Sequence, residues 1–316
     1  MPELLRVEHL KKYFNTTGGT LKAVDDINFS VQQGETIGIV GESGCGKSTL
    51  GRTILRLHEP TSGQVYFHGE DIIKYDVGKM KEIRSKMQMI FQDPYSSLNP
   101  RMTVSQAIAA PLLIQGRYGK NQKQDLKQEV LRIMDLVGLA RRLINSYPHE
   151  LDGGRRQRIG IARALALEPE VIICDEPVSA LDVSIQAQIL NLMQDLQEQF
   201  HLTYLFITHD LSVVKHLSNQ IIVMYLGQIV EMAPPDEIFD NPLSPYTQAL
   251  LSAIPIPNPD IHMERIILKG ELSSPINVGE GCRFVKRCNK ACEECSAKSV
   301  PLKEIFPGHF VACCQV

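Results

Sequence analysis

Gly41-Glu42-Ser43-Gly44-Cys45-Gly46-Lys47-Ser48 follows a strand-like stretch, Thr36 to Val40, and leads into a helix-like one. The octet fits the phosphate-loop pattern GxxxxGK(S/T). Its glycines let the backbone bend so that successive N–H groups face phosphate oxygens. Lys47 neutralises the outer phosphates, and the Ser48 hydroxyl ligates Mg2+. Gly41, Ser43, Gly44, Cys45, Gly46, Lys47, Ser48 and the following Thr49 are therefore the candidate ATP-binding residues, and the context points to a nucleotide-binding ATPase. The alternative, a Gly-rich strand-to-helix turn, loses ground to the motifs downstream.

Working outward, the 316 residues suffice for one large domain plus an appendage, and 43% hydrophobic with 22% charged residues is the balance of a soluble globular protein. A formal net charge of -3 supplies no global basic field, so nucleic acid is not an expected partner. Met1 to Phe14 mixes charged and apolar residues and reads as neither signal peptide nor anchor. No stretch approaches the ~20 apolar residues of a spanning helix. The expected location is the cytoplasm, with any membrane role exercised through a partner.

Leu4 to Leu10 and Ala23 to Val31 alternate apolar and polar residues and read as strands, as do Val65 to Phe67 and a hairpin, Ile221 to Glu231, turning at Leu226-Gly227. Helical patterns dominate between the phosphate loop and Val171, including Val104 to Gln115 and Gln124 to Val137, the latter ended by Gly138. Val171 to Cys174 and Tyr204 to Ile207 resemble buried parallel strands. After Met232 the texture becomes proline-rich (Pro234, Pro235, Pro242, Pro245, Pro255, Pro257, Pro259), with one helical stretch from Tyr246 to Ala253, and reads as a linker into a small C-terminal unit.

The apolar run Val171 to Cys174 ends in Asp175-Glu176. Two acids at the C-terminal end of a parallel strand lie where such sheets bind ligands. Asp175 suits Mg2+ held through water, and Glu176 suits the orientation or deprotonation of an attacking water. A helix-capping turn is the other reading of the pair.

With these residues in place, the chain resembles the ATP-binding cassette ATPases that drive membrane transporters, from about Leu4 to Ile229. The resemblance implies roles for further positions. Gln92, in Phe91-Gln92-Asp93-Pro94, matches the glutamine that touches Mg2+ and water and reports to the membrane subunits. Asp182, in Ser179-Ala180-Leu181-Asp182, matches the loop crossing the dimer interface. His209, in Ile207-Thr208-His209-Asp210, matches the switch histidine at the γ-phosphate, and Phe14 or Tyr13 falls where an aromatic stacks on adenine. Catalysis is thus expected from Glu176, His209 and Lys47, with Mg2+ held through Ser48, Gln92 and Asp175.

One motif departs. Where the family has Leu-Ser-Gly-Gly-Gln, this chain has Leu151-Asp152-Gly153-Gly154-Arg155. In the family this segment faces the ATP of the other subunit, and a carboxylate there meets like charge. Asp is also as good an N-cap as Ser, and Arg155 can pair with it across the first turn. The expectation is a heterodimer with a sister ATPase and unequal ATP sites.

Eight cysteines are many for a cytosolic chain, and six crowd between Cys282 and Cys314. In a reducing compartment that reads as metal or cluster ligation before disulfides. Cys282, Cys288, Cys295 and Cys313 suit Zn2+ or an iron-sulfur cluster, and spacing does not separate the two. The tail is similar to the C-terminal extension of oligopeptide and dipeptide importer ATPases, a resemblance that implies a 4Fe-4S cluster. Cys292 and Cys314 lie outside that pattern. Asn241 to Thr247 and Asp93 to Pro100 are similar to segments of the same group.

The reading is an α/β P-loop NTPase (RecA-like) core with an N-terminal antiparallel β subdomain, an inserted α-helical subdomain and a small Cys-rich C-terminal extension. Residues 1–232 form the ATPase domain, with the helical insert about 94–150, and 233–316 the extension. The resemblance implies a peptide importer subunit at the cytoplasmic face of the cell membrane, working with two permease subunits and, indirectly, an extracellular or periplasmic peptide-binding protein. Nickel as cargo and an ATP-binding regulatory subunit with little turnover are the alternatives.

Overall fold

The computed structural model describes residues 2–119, 121–254, 265–268, 270 and 275–316, so Pro255, Pro257 and Pro259 of the expected linker lie outside the described residues. In chain order the elements begin with β1 (Glu3–Thr16), β2 (Gly19–Gln32), β3 (Thr36–Val40), α1 (Lys47–Ile54), β4 (Ser62–Phe67) and β5 (Glu70–Asp71). Then come α2 (Val77–Lys86), β6 (Met87–Ile90), α3 (Val104–Ile114), α4 (Lys123–Leu136), α5 (Gly153–Leu165), β7 (Val171–Asp175), α6 (Val183–Phe200) and β8 (Thr203–Thr208). The chain continues with α7 (Leu211–Leu217), β9 (Gln220–Tyr225), β10 (Gln228–Ala233), α8 (Pro235–Asp240), α9 (Pro245–Ser252), α10 (Glu293–Ala297), β11 (Lys303–Phe306) and β12 (His309–Val311). Packing divides it into two units, one of Met1–Lys74 with Phe206–Val316 and one of Tyr75–Leu205.

In the first unit, β2-β1-β4-β5 form an antiparallel sheet. Leu5, Val7, Val24, Ile27 and Val31 of its first two strands are buried. β1 and β2 run further than their alternating cores. The register shifts between Val7 and Leu10, where His9 has φ 46° and its backbone N–H donates to Asn28 Oδ1 at 2.7 Å. A second sheet of this unit runs β11-β12-β10-β9-β3. β3 and β9 are parallel, from Ile37 opposite Gln220 to Val40 opposite Val223, and β3 is buried throughout. Burying each large aliphatic side chain there contributes about 1.5–3 kcal/mol. β9 and β10 turn at Leu226 and Gly227, with φ 42° and 85°, the positive pair of a type I′ hairpin.

The last strands do not stand apart. β12 pairs antiparallel with β10, Glu231 opposite Val311 and Met232 opposite Phe310, and β11 pairs with β12. The Cys-rich tail thus continues the sheet that carries β3.

In the second unit β6 and β7 pair in parallel, from Met87 opposite Val171 to Ile90 opposite Cys174. β6 departs from the helical reading of this region. Met87-Gln88-Met89-Ile90 directly follows α2 without a turn residue, and methionine carries little strand signal. α3 starts from a reciprocal Thr103–Gln106 capping box, and α4 ends ahead of Gly138, at φ 66°. Val104, Ile108, Leu112, Val130, Ile133 and Ile159 form the core beneath α3, α4 and α5. Among the described residues, no helix is long and apolar enough to cross a membrane.

Candidate nucleotide site

The phosphate loop connects β3 to α1. Gly41 and Gly46 adopt φ of 154° and 109°, a region that L side chains avoid. A Cβ on Gly41 would lie 2.2 Å from the carbonyl oxygen of Met224, and one on Gly46 2.0 Å from that of Ala23. These glycines therefore serve close backbone approach to β9 and β2 as well as curvature. Gly46 caps α1 without a side-chain acceptor, so the N-terminal N–H groups of the helix are what it offers an anion.

Lys47 is 4% exposed, and its Nζ donates to the carbonyl oxygens of Gly41 at 2.7 Å and Glu42 at 3.0 Å. Neutral acceptors orient the ammonium without cancelling its charge. Ser43 and Gly44 are exposed, Ser48 and Thr49 half-buried. Cys45 is buried, and burial pushes its thiol up, which suits packing rather than reactivity. Its carbonyl accepts from the Gly227 N–H at 2.7 Å, so the loop rests on the β9–β10 turn.

Of the two aromatic candidates, Tyr13 is committed within the protein. Its hydroxyl donates to Asp25, which also pairs with Arg283, and burial followed by the bond to Asp25 pushes the phenol up. Phe14 is half-buried, edge-on to His58 with centroids 5.7 Å apart, and Lys12 Nζ lies 4.8 Å from its ring centre. His209 is exposed after β8, next to Asp210, which caps α7 by accepting from Ser212 N–H at 2.8 Å.

In the second unit, β7 delivers Asp175 fully buried at its end. Glu176 follows at φ 46°, a left-handed conformation of the kind strained functional positions hold. Its Oε2 accepts from Gln92 Nε2 at 2.8 Å, so two residues 84 apart that sequence reasoning selected separately are brought together.

Asp152 caps α5, its Oδ1 accepting from Arg155 N–H at 2.8 Å, and Arg155 Nε stands 3.3 Å from Oδ2. The capping role and the charge pairing are both present. Gly153 and Gly154 permit close packing: added Cβ atoms would lie 3.0 Å from Leu181 Cδ2 and 2.6 Å from Ile185 Cγ2. Asp182 caps α6, accepting from Ser184 Oγ at 2.7 Å and Ile185 N–H at 3.0 Å. Those two bonds hold its exposed carboxyl below the usual range.

In the tail, the tightest thiol group is Cys292, Cys295 and Cys314. Their Sγ atoms are 3.5 Å (292–295), 3.0 Å (295–314) and 3.8 Å (292–314) apart. Cys292 caps α10, so positions i and i+3 put both thiols at the same helix start, and Cys314 arrives from beyond β12. Of the expected quartet Cys282, Cys288, Cys295 and Cys313, Cys295 belongs to this trio. The other three lie within electrostatic reach of Cys295, and burial, with smaller contributions from that neighbourhood, pushes each thiol up. Cys314 is pushed up to about 12, chiefly by its contact with Cys295.

The ABC transporter family matches residues 24–179, and the "Oligopeptide/dipeptide transporter, C-terminal region" family matches residues 230–295. The chain is 52% identical over 320 residues to the oligopeptide transport ATP-binding protein AppF of Bacillus subtilis (strain 168), covering 98% of this chain and 96% of that one. It is likewise 52% identical over 315 residues to OppF of the same organism, covering 99% and 97%. It belongs to the ABC transporter ATPases, in their oligopeptide/dipeptide branch. Among solved structures, the dimeric ATP-binding cassette MJ0796 in a post-hydrolysis state with ADP and Pi is similar at TM-score 0.67 and 29% identity, over 73% of this chain and 99% of that one.

As an ABC ATPase the chain carries the α/β cassette fold and an ATP-hydrolysing site. Sequence reasoning missed the residues of the C-terminal part that reach the phosphate loop, Tyr246 and Arg287, and Arg283, which bonds Asp25 and Leu226 beside it. Glu42 and Arg287 are 245 positions apart, and no local pattern announces such a pair.

Proposed function

We propose that this ABC ATPase powers the import of oligopeptides or dipeptides as one half of a heterodimer with a sister ATPase. Two permease subunits and, indirectly, an extracellular or periplasmic peptide-binding protein complete the assembly. The observation that carries the cargo class is the joint match of residues 24–179 to the ATPase family and of residues 230–295 to the oligopeptide/dipeptide C-terminal region. Unequal sites are favoured by Asp152, a carboxylate where the resemblance has serine. Phe14 is the ring we assign to adenine, since the Tyr13 hydroxyl is occupied by Asp25.

Hydrolysis is an in-line attack of water on the γ-phosphate. Lys47, buried and oriented by two backbone carbonyl oxygens, and His209 take up developing negative charge. Glu176 directs the water, and its bond from Gln92 fixes the carboxylate. Mg2+ neutralises phosphate charge when bound. The hydroxyl of Ser48, the amide oxygen of Gln92 and the buried carboxylate of Asp175 are hard oxygen donors of the type it takes.

The clustered thiols suit a soft metal. Three Sγ atoms within 4.8 Å of one another, with three further thiols in reach, fit a 4Fe-4S cluster or Zn2+. Cys295 with Cys292, Cys314 and the remaining cysteines of the predicted quartet would hold it, supplying a structural clamp or an electron-accepting centre. Co-purification of the tagged chain followed by mass spectrometry tests the assembly. Recovery of a second ATPase and two membrane subunits is expected, and recovery of nucleic acid instead would overturn it.

A further inference from the structure

The C-terminal part grips the phosphate loop at Glu42, through Arg287 and Tyr246. Arg287 Nη1 and Nη2 donate to Glu42 Oε2 and Oε1 at 2.7 and 3.1 Å. The two side chains are 11% and 25% exposed, so this planar two-bond pair is little screened by salt. Glu42 is held by its backbone as well, its N–H donating to the Tyr246 hydroxyl at 3.0 Å and its carbonyl accepting from Lys47 Nζ at 3.0 Å.

Tyr246 is fully buried against Tyr225 and Phe284, with ring centroids 4.7 and 5.3 Å away. Phe284 and Arg287 share the segment between Cys282 and Cys288. Arg283 of the same segment donates to Asp25 and to the Leu226 carbonyl. Those two residues flank the Gly227 turn that supports Cys45, where the loop closes. One seven-residue segment therefore holds Glu42 of the phosphate loop directly and, through Asp25 and Leu226, the turn on which Cys45 rests.

The identity of Glu42 makes this more than packing. A carboxylate inside a loop that must attract a triphosphate opposes binding unless something neutralises it and turns it away. Arg287 does both, and the residue it restrains is the one whose carbonyl orients Lys47.

We infer that Arg287 is a positioning residue for nucleotide binding: by holding and neutralising Glu42, with Tyr246 bracing the same residue, it sets how tightly the phosphate loop takes the triphosphate. The inference rests on the phosphate loop being the nucleotide site. The C-terminal segment is thus a working part of that site.

The test measures MgATP affinity by displacement of a fluorescent nucleotide, together with KM and kcat for ATP, on the full chain. The variants are Arg287→Ala, Arg287→Lys and the double variant Glu42→Gln with Arg287→Ala. Arg287→Ala should weaken MgATP binding about tenfold, about 1.4 kcal/mol, and raise KM in proportion while kcat changes less than about twofold. Arg287→Lys should recover much of the loss. Removing the Glu42 charge as well should restore affinity to within about threefold of the parent, which general damage to the fold would not allow.

Parent-like affinity in Arg287→Ala overturns the inference, and so does a double variant no better than the single one. Lys47→Ala serves as the control. If that variant binds MgATP normally, the phosphate-loop reading itself fails, a result separable from failure at Arg287.

Discussion

Replacing Glu231 by alanine should loosen the C-terminal hairpin severely, and the size of the effect follows from three bonds. The carboxylate is fully buried. Its Oε1 accepts from Leu243 N–H at 2.7 Å and bonds His309 Nε2 at 2.8 Å, and its Oε2 accepts from Ser244 N–H at 3.0 Å. Alanine leaves all three partners without their acceptor. Each orphaned buried donor costs about 1–3 kcal/mol. Relief of the carboxylate's own desolvation offsets part, giving a net loss of about 4 kcal/mol, in the range found when one partner of a buried pair is removed. Glu231→Gln keeps an oxygen for one or two of the donors and should lose about half as much. The chain has no tryptophan, so urea unfolding is followed by far-UV circular dichroism and tyrosine fluorescence, with the reactivity of Cys314 as a local probe. A loss under about 1 kcal/mol for the alanine variant, or equal losses for both variants, would refute the reasoning.

Four other outcomes are expected. Gly46→Ala should abolish MgATP binding, because its Cβ would meet the Ala23 carbonyl oxygen at 2.0 Å; equilibrium dialysis with labelled ATP checks this. Glu176→Gln should lower ATP turnover at least about a hundredfold while nucleotide affinity persists, read by phosphate release beside a binding titration. Asp152→Ser should leave α5 stable to within about 0.5 kcal/mol, since both residues cap well. The same change should raise turnover at the site facing it about tenfold, being the part of a ~4 kcal/mol repulsion left uncancelled by Arg155. Assembled complexes carrying Glu176→Gln in this chain, so that only the sister subunit's ATP turns over, would show it, and an unchanged rate would sink the unequal-site reading. Finally, Zn2+ or Cd2+ titrated into the metal-free chain should bind more tightly as pH rises from 6 to 9. Cys282, Cys288, Cys313 and Cys314 have raised thiol pKa values and must shed protons to ligate. Charge-transfer absorbance reports the binding, and pH-independent affinity would count against thiolate ligation.

Much of the architecture was readable where one physical demand dominates a short stretch. β3, β7 and β8 are continuous apolar runs, so their burial is written directly in the chain. The turn at Leu226-Gly227 and the stop at Gly138 follow from backbone freedom. β1 and β2 were under-read because left-handed residues such as His9 and Asp26 interrupt alternation. β11 begins with Lys303 and Glu304 and β12 spans three residues, and such short polar edge strands carry almost no periodic signal. At the site, the phosphate loop and the Asp175-Glu176 pair were legible because their chemistry needs contiguous residues. Which cysteine thiols converge depends on the register of α10 and the path of β12, and the bond from Arg287 to Glu42 depends on the whole first unit folding. Neither is a local property.

The pairing of β12 onto β10 has a practical consequence for anyone shortening this chain. Cutting after Ala233 would strip away the strand that covers the outer rim of β10, leaving a row of naked amides beside an apolar surface. That is the usual template for aggregation. A trimmed cassette should precipitate or self-associate through that rim, even though every residue assigned above to ATP contact would still be present.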